Sequence, residues 1–260
     1  NFYLYNMKYN PKKRKSTKEA HENMTFMNSR EARWLRVLAE LMETEARMKK
    51  TGIRHTIVFQ GSARINEESE QFKNNKYDRY YTEAYQLSKQ MTEWSEKNFT
   101  ERKNKFYISS GGGPGIMEAA NKGAHDAGGK SVGLGIKLPF EQTNNEYVTP
   151  EMDFVYHYFF TRKYWFLYQA KALVVFPGGF GTMDELFEAL TLIQCKKIEK
   201  PVPTILYGKD FWENVVGWDK FIEAGTISKK DLNLFKIVDD VETAKTFLIE
   251  NLTKYYKLHF

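Results

Sequence analysis

Three short segments of the chain combine glycine with small polar residues, a pattern that can bind a phosphate. Residues 61–62, 111–113 and 177–182 each follow a short apolar run. Glycine lets the backbone approach a ligand closely, and a helix N-terminus offers free N–H groups and a partial positive charge to an anion. One such segment is equally well explained by a turn that needs glycine for its own geometry. Three of them at successive strand ends favour a pocket for a nucleotide-sized ligand.

The spacing of these glycines does not match the standard nucleotide motifs. In the dinucleotide pattern G-x-G-x-x-G, the last position would fall at Ile116 in the second segment and at Asp184 in the third. The triplet "GKS" at 129–131 looks like the end of a P-loop, but the required upstream glycine is Ala124 and an apolar run follows instead of a helix. The sequence therefore does not favour NAD or ATP, and we predict no cofactor.

Four charged residues near the third glycine segment could carry out chemistry. Arg162 and Lys163 stand at the start of a predicted helix, where basic residues oppose the helix dipole, and this mildly unfavourable position favours a ligand role. Asp184 and Glu185 follow the glycines, and acidic residues suit the first turn of a helix. Since neighbouring helical residues point about 100° apart, at most one of the two carboxylates is expected to face a ligand.

The histidines and the cysteine predict neither a metal site nor a disulfide. The five histidines stand singly along the chain, and each is better explained as a surface or core residue than as a metal ligand: His21, His55, His125, His157 and His259. Cys195 is the single cysteine, which excludes an internal disulfide and fits a reducing, cytoplasmic compartment. We therefore expect a metal-free cytoplasmic protein.

Short apolar runs alternate with helical patterns along most of the chain. The predicted strands are "HTIVF", "KFYIS", "SVGLGI", "DFVYHY", "ALVVF" and "VPTILY". Runs that are apolar throughout are typical of parallel strands covered on both faces. We predict an α/β fold with a doubly wound, Rossmann-like parallel sheet, in which ligands bind beyond the carboxyl ends of the strands.

The N-terminal part is predicted to differ from this α/β core. Residues 1–28 are polar and basic and are interpreted as a poorly ordered arm, whereas 29–260 form one domain that begins with an amphipathic helix capped by Ser29. The first twenty residues hold most of the net charge of +6, which does not favour nucleic-acid binding as the main function. A basic arm that tethers the protein to nucleic acid is a further alternative, and it predicts salt-dependent binding that is lost without residues 1–20. We expect no membrane span and no signal peptide.

The third glycine segment resembles the signature of a known family. "PGGFGTMDE" matches the pattern P-G-G-x-G-T-x-x-E of the LONELY GUY (LOG) family, whose members are often mislabelled lysine decarboxylases. Arg162 lies 23 positions before Glu185, which is the family's arginine-to-glutamate spacing. "GS" after the first strand and "GGGPGIMEAA" are also similar to this family, and "GLGIKLPFEQTNNEY" resembles its longer, bacterial-type branch. The resemblance covers about residues 30–250.

The resemblance implies a phosphoribohydrolase that cleaves the N-glycosidic bond of a nucleoside 5′-monophosphate, giving a free base and ribose 5-phosphate. It makes Arg162 and Glu185 the catalytic pair and leaves Asp184 as helix-start chemistry. The residues that it assigns to substrate and phosphate binding are Gly61, Ser62, Gly111, Gly112, Gly113, Lys163, Pro177, Gly178, Gly179, Gly181 and Thr182. It further implies a homodimer or a higher assembly of dimers, whereas the expectation of no membrane partner comes from the lack of a long apolar segment.

Two observations define the alternatives. Plant-type members carry Met-His ahead of the Arg-Lys pair, where this chain has Phe159, Phe160 and Thr161; a general purine nucleotide such as AMP is therefore favoured over a cytokinin nucleotide. The main rival to an enzyme is a non-catalytic protein of the same fold that binds a nucleotide or a molybdenum cofactor. The Arg162–Glu185 pair favours the enzyme, because a pure binder need not keep it.

Overall fold

A seven-stranded parallel sheet forms the centre of the larger part of this computed structural model, which describes residues 17–66, 77–139 and 143–256. The strands are β1 His55–Gln60, β2 Phe106–Ser110, β3 Ser131–Ile136, β4 Asp153–Tyr156, β5 Ala170–Val175, β6 Thr204–Tyr207 and β7 Lys236–Val238. Their spatial order is β4-β3-β2-β1-β5-β6-β7, and every neighbouring pair is parallel. The predicted doubly wound α/β fold is confirmed.

Helices lie between most consecutive strands, as is usual in a parallel sheet, whereas the connection from β3 to β4 contains only a 3₁₀ turn in its described part. The helices are α1 Met24–Met27, α2 Arg33–Thr51, α3 Arg79–Asn98, α4 Ile116–Asp126, α5 Phe159–Gln169, α6 Phe180–Gln194, α7 Lys209–Val215, α8 Trp218–Glu223 and α9 Val241–Tyr256. Four short 3₁₀ turns accompany them in the described part of the chain: Ala20–Glu22, Arg102–Asn104, Pro150–Met152 and Lys229–Leu234.

The chain divides into two compact units, one ending at Met42 and the other beginning at Glu43, so that the boundary falls inside α2. Of the predicted basic arm, residues 1–16 lie outside the described residues, and residues 17–28 contain the first 3₁₀ turn and α1. The prediction that Ser29 caps the long helix is wrong. Helix α2 begins at Arg33, and the Ser29 carbonyl accepts a hydrogen bond from Arg36 Nη1 at 2.7 Å.

The central strands are covered on both faces. Ile57, Val58 and Phe59 are consecutive in β1 and all fully buried, although successive side chains point to opposite faces of the sheet. Burying each such side chain stabilises the fold by about 1.5–3 kcal/mol. The unbroken apolar runs of the sequence thus reflect a sheet between two helical layers.

The strand order creates a switch point between β1 and β5. From β1 the chain moves outward through β2, β3 and β4, and then returns to place β5 on the opposite side of β1. Loops that leave β1 and β5 therefore diverge, and the crevice between them is the usual ligand site of such sheets.

Strand β7 was not predicted from the sequence. Strand β7 has only three residues, Lys236 to Val238, and pairs with β6 at the edge of the sheet. Lys236 is exposed and Ile237 is half-buried. A strand this short, with one covered residue, has neither the alternation nor the apolar run that would reveal it.

Helix α6 ends in a well-defined turn. Lys197 N donates to Leu192 O at 2.9 Å and Lys196 N donates to Ile193 O at 3.1 Å, the bonding pattern of a Schellman motif. Lys196 takes the left-handed conformation that this motif needs, with φ of 58°. These bonds satisfy the last carbonyls of the helix that carries Glu185.

Candidate active site

The three glycine segments lie side by side at the carboxyl ends of neighbouring strands in the middle of the sheet. They follow β2, β1 and β5, which are neighbours in that order. Ser62 N donates to Pro177 O at 3.0 Å, which joins the first segment to the third. Ile116, the first residue of α4 and three residues after the second segment, donates its N–H to Ser62 O at 3.1 Å. The fold therefore brings the three segments together, and the nucleotide-sized pocket at them stays a prediction.

The beginning of α6 forms an open cradle. Its first internal backbone bond runs from Met183 N to Gly179 O at 3.0 Å, which leaves the N–H groups of residues 180–182 without helical partners. A Cβ atom placed on Gly179 or Gly181 would meet no heavy atom within 4 Å. Free amides, a helix dipole and unfilled space together suit an anion such as phosphate.

The glycines of the cradle are there for room and not for backbone conformation. In the described residues, the glycines with positive φ include Gly112, in the second segment, and Gly115, just before α4, but none from 178 to 181. Gly178 makes room for Thr182, because a Cβ at that position would lie 2.1 Å from Thr182 Oγ1. The need for a positive φ thus explains the glycine at position 112, but it does not explain the glycine at position 179.

Arg162 and Glu185 form a mostly buried ion pair beside this cradle. Arg162 Nη2 donates to Glu185 Oε1 at 2.9 Å, and the two side chains are 10% and 16% exposed. Helix α5 supplies the arginine and helix α6 the glutamate. Arg162 Nε is buried and has no hydrogen-bond partner in the described part of the chain. A buried donor without an acceptor costs about 1–3 kcal/mol. A ligand that supplied an acceptor to Arg162 Nε would remove this cost.

Burial raises the pKa of Glu185 above its ordinary value, and the Arg162 guanidinium opposes that rise. Because its pKa is raised, the carboxylate of Glu185 accepts a proton more readily than that of a surface glutamate. Such a group can stabilise a developing positive charge and can act as a general base.

Asp184 has a different role from the one that the sequence suggested. Because α6 begins at Phe180, Asp184 lies in the second helical turn, and the prediction of helix-start chemistry is wrong. Its side chain is 58% exposed and pairs with Lys163 Nζ at 3.1 Å. The same ammonium lies 3.2 Å from Glu188. Burial alone would lower the pKa of Lys163, but the hydrogen bonds to Asp184 and Glu188 raise it. Lys163 therefore ties α5 to α6.

One residue at the site was missed. The side chain of Asn145 donates to the carbonyls of Gly112 and Gly113 at 3.0 Å and 3.1 Å. It lies in the loop between β3 and β4, more than thirty residues further along the chain. No local pattern in "TNNEY" indicates this contact.

Neither a metal centre nor a membrane span is found in the described ranges. Among these residues there is no group of three or more histidine, cysteine, aspartate or glutamate side chains that could hold a metal ion. Of the helices in residues 17–256 that the structure describes, none is both long and apolar enough to cross a bilayer.

Comparison with known proteins identifies a matching family model, similar curated proteins and similar solved structures. A family model described as "Possible lysine decarboxylase" matches residues 117–248, about half of the chain, and spans both Arg162 and Glu185. A "probable cytokinin riboside 5′-monophosphate phosphoribohydrolase" of Oryza sativa subsp. japonica is 27% identical over 214 residues, covering 81% of this chain and 83% of the relative. A cytokinin riboside 5′-monophosphate phosphoribohydrolase of Arabidopsis thaliana is 29% identical over 155 residues, covering 58% and 68%. Among solved structures, the molybdenum cofactor binding protein from the phototrophic bacterium Rippkaea orientalis aligns with a TM-score of 0.49 at 19% identity, over 75% of this chain and 94% of that one.

Proposed function

This chain belongs to the LONELY GUY family, and we propose that it is a phosphoribohydrolase that hydrolyses a purine nucleoside 5′-monophosphate such as AMP. The products are the free base and ribose 5-phosphate. One observation carries the proposal: the buried ion pair of Arg162 and Glu185, 2.9 Å apart, lies beside the open N-terminus of α6.

The 5′-phosphate binds at the beginning of α6. The free amides of residues 180–182 donate to the phosphate oxygens, and the space over Gly179 and Gly181 accommodates them. Binding of this remote group fixes the ribose relative to Glu185, so that binding energy is used for orientation at C1′.

Glu185 acts at the anomeric carbon. The C1′–N bond breaks with its electron pair leaving on the base, and the sugar passes through an oxocarbenium-like state that the carboxylate stabilises. Water adds its oxygen to C1′ and gives its proton to Glu185. The departing base takes up one proton from solvent and Glu185 returns its proton to solvent, so that one water molecule is divided between the two products.

Arg162 orients the reacting groups and does not transfer a proton, since a guanidinium stays charged. Its Nη2 holds Glu185 in place, and its unpartnered Nε can donate to the substrate. The ring of Phe159, 55% exposed, lies with its centroid 5.9 Å from Arg162 Cζ. An exposed aromatic ring next to the catalytic pair is a platform on which a purine can stack.

The lysine beside the pair does not fit decarboxylase chemistry. A lysine that forms a Schiff base works as the neutral amine and needs a lowered pKa. The hydrogen bonds of Lys163 to Asp184 and Glu188 raise its pKa instead. This supports a hydrolase in preference to the activity named in the description of the family model.

The deciding experiment is incubation of the purified protein with AMP, followed by chromatographic detection of adenine and ribose 5-phosphate. We expect both products in equal amounts. Tight binding of AMP without product would instead select a nucleotide-binding protein and contradict the proposal. A parallel series with GMP, IMP, a cytokinin riboside monophosphate and unphosphorylated adenosine ranks the bases and measures the importance of the phosphate.

Gly181→Ala is expected to separate substrate binding from stability. The new methyl group meets no protein atom within 4 Å, but it enters the proposed phosphate cradle, so the KM for AMP should rise at least about tenfold. Stability should be retained or increase by about 0.5 kcal/mol, because alanine favours a helix over glycine. Steady-state kinetics and thermal unfolding test both.

Gly178→Ala is the matched comparison, since its methyl group would overlap Thr182 and should lower the unfolding temperature. An unchanged KM in Gly181→Ala would contradict phosphate binding at this helix.

The proposed partner of the chain is a second copy, in a homodimer or an assembly of dimers. Phe160, Tyr164 and Tyr168 recur at i, i+4 and i+8 on α5 and are all exposed, so they form one aromatic helix face of the kind that marks an interface. Sedimentation equilibrium should show a dimer, and Tyr164→Glu should weaken it. A wild-type monomer at micromolar concentration would contradict the proposal.

A further inference from the structure

We propose that Asn145 is a positioning residue of the active site: its side chain fixes the glycine turn after β2, which presents the Gly113 amide to the substrate and supports Arg162. This proposal rests on the proposed hydrolase function. It assigns a role to a loop whose residues 143–147 contain none of the catalytic or phosphate-binding residues predicted from the sequence.

Asn145 binds two successive carbonyls of the turn. Its backbone N–H donates to Gly112 O at 2.7 Å, and its side-chain Nδ2 donates to Gly112 O at 3.0 Å and to Gly113 O at 3.1 Å. The Oδ1 atom accepts from Tyr147 N at 3.3 Å, which fixes the orientation of the amide. A single asparagine thus clamps the turn from one side.

A buried network holds the same turn from its base. Asn145 Nδ2 also lies 3.0 Å from Asn121 Oδ1, so its two N–H bonds are shared among three acceptors. The same Asn121 oxygen accepts from Ser110 Oγ at 2.6 Å. Ser110 Oγ in turn accepts from Gly112 N at 3.0 Å. Asn121 and Ser110 are fully buried. Both backbone polar atoms of Gly112 are therefore engaged, and its left-handed conformation, with φ of 69°, is held in place.

The clamp determines the direction of one backbone donor. In a trans peptide the C=O of Gly112 and the N–H of Gly113 point in opposite directions. Because the Gly112 carbonyl faces Asn145, the Gly113 N–H faces away from it, and no acceptor for this group occurs in the described part of the chain. The next residue, Pro114, has no N–H. The backbone N–H of Gly113 therefore points out of the turn, where it can donate to a substrate oxygen.

The same turn is the wall against which Arg162 rests. A Cβ atom on Gly111 would lie 3.0 Å from Arg162 Nη2, the atom that donates to Glu185. A shift of the turn would therefore change the position of the guanidinium relative to the carboxylate. Asn145 makes none of these contacts itself, and it acts through residues 111–113.

The test is Asn145→Ala, compared with Asn251→Ala. The control removes the same side chain, whose Nδ2 donates to Phe247 O at 2.8 Å in α9. We expect Asn145→Ala to lower kcat for AMP at least about tenfold and to move the acid limb of its pH profile to higher pH. The limb moves because Arg162 then opposes the burial of Glu185 less effectively, whereas Asp184, Glu188 and Lys163, the other charges near this carboxyl, are unchanged. Asn251→Ala should keep the wild-type kcat and pH profile.

A second measurement does not depend on turnover. Hydrogen exchange of the peptide that spans residues 111–116 should accelerate in Asn145→Ala and stay at the wild-type rate in Asn251→Ala. If the wild type binds AMP but releases no adenine, the proposed hydrolase function fails. The exchange rate and the AMP affinity of Asn145→Ala then still test whether Asn145 fixes the turn.

If the hydrogen-exchange rate of residues 111–116, the AMP affinity and the kcat of Asn145→Ala all equal those of the wild type, the proposal is overturned. If the alanine variant does not fold, Asn145→Asp replaces the donor that faces the two carbonyls with a charged acceptor. Because the new charge can itself move the pH limb, hydrogen exchange of residues 111–116, AMP affinity and kcat are the readings that apply to this variant. Loss of thermal stability with an unchanged pH limb and unchanged exchange would reduce Asn145 to a packing residue and would also overturn the proposal.

Discussion

Glu185→Gln is expected to reduce the release of adenine from AMP by at least about a thousandfold, while AMP binding and the fold are retained. The amide has the size of the carboxyl and can still accept from Arg162 Nη2, but it carries no negative charge and cannot take a proton from water. General base catalysis alone contributes about 10²–10⁴-fold, and the lost stabilisation of an oxocarbenium-like state adds to this. Single-turnover kinetics with purified protein measures the loss.

Asp184→Asn is the matched control, because it makes the same chemical change one residue earlier. Asp184 is largely exposed and pairs with Lys163, so its loss should change kcat less than about threefold, within the range of a surface ion pair. Near-normal turnover in Glu185→Gln, or equal losses in the two variants, would contradict the assignment of Glu185.

Arg162→Ala is expected to lower kcat at least about a hundredfold, the size of effect seen when one preorganised donor is removed from an active site. The variant loses the donor to Glu185 and the buried Nε proposed to bind substrate. Since the guanidinium opposes the rise in the pKa of Glu185, its loss should also move the acid limb of the activity profile to higher pH. Lys163→Ala should give a smaller loss and a smaller shift in the same direction, because Lys163 also lowers the pKa of Glu185 but less than Arg162 does.

The stability of Arg162→Ala should depend on pH in a defined direction. With the arginine gone, the pKa of Glu185 lies further above its value in the unfolded chain. A carboxyl with a raised pKa contributes stability below its unfolded pKa and loses that contribution as the pH rises through the folded pKa. The decrease in unfolding temperature relative to the wild type should therefore be larger at pH 8 than at pH 5. An equal decrease at both values would show that Arg162 does not control this carboxyl.

The alternation of strands and helices could be predicted from the sequence because its signals are local. Apolar runs such as the one that contains Ile57 to Phe59 reveal strands covered on both faces, and the glycines after them mark the strand ends. The signature from Pro177 to Glu185 lies in a single turn and helix, so it too could be recognised without a structure. The edge strand β7 was missed, because its three residues contain too little local pattern.

Pairings between distant residues could not be read in this way. The local pattern suggested that Asp184 serves the start of α6, but the helix begins at Phe180 and Asp184 faces Lys163 of α5. Likewise, the contact between Asn145 and Gly112 joins two loops of different crossovers. Neither residue carries a mark of its partner, because the partner is brought close only by the packing of separate elements.

The sequence by itself determined the residue types of the site: glycines that leave room for an anion, and an arginine and a glutamate at the spacing of a known signature. Only the tertiary structure decided that they form one site. The sheet order places β1 between β2 and β5, which brings the three glycine segments together and sets Arg162 against Gly111 and Glu185. The physical reason is that strand order and helix packing are set by the free energy of burying the whole apolar core. The position of each catalytic atom is therefore a property of contacts between elements and not of the segment that carries it.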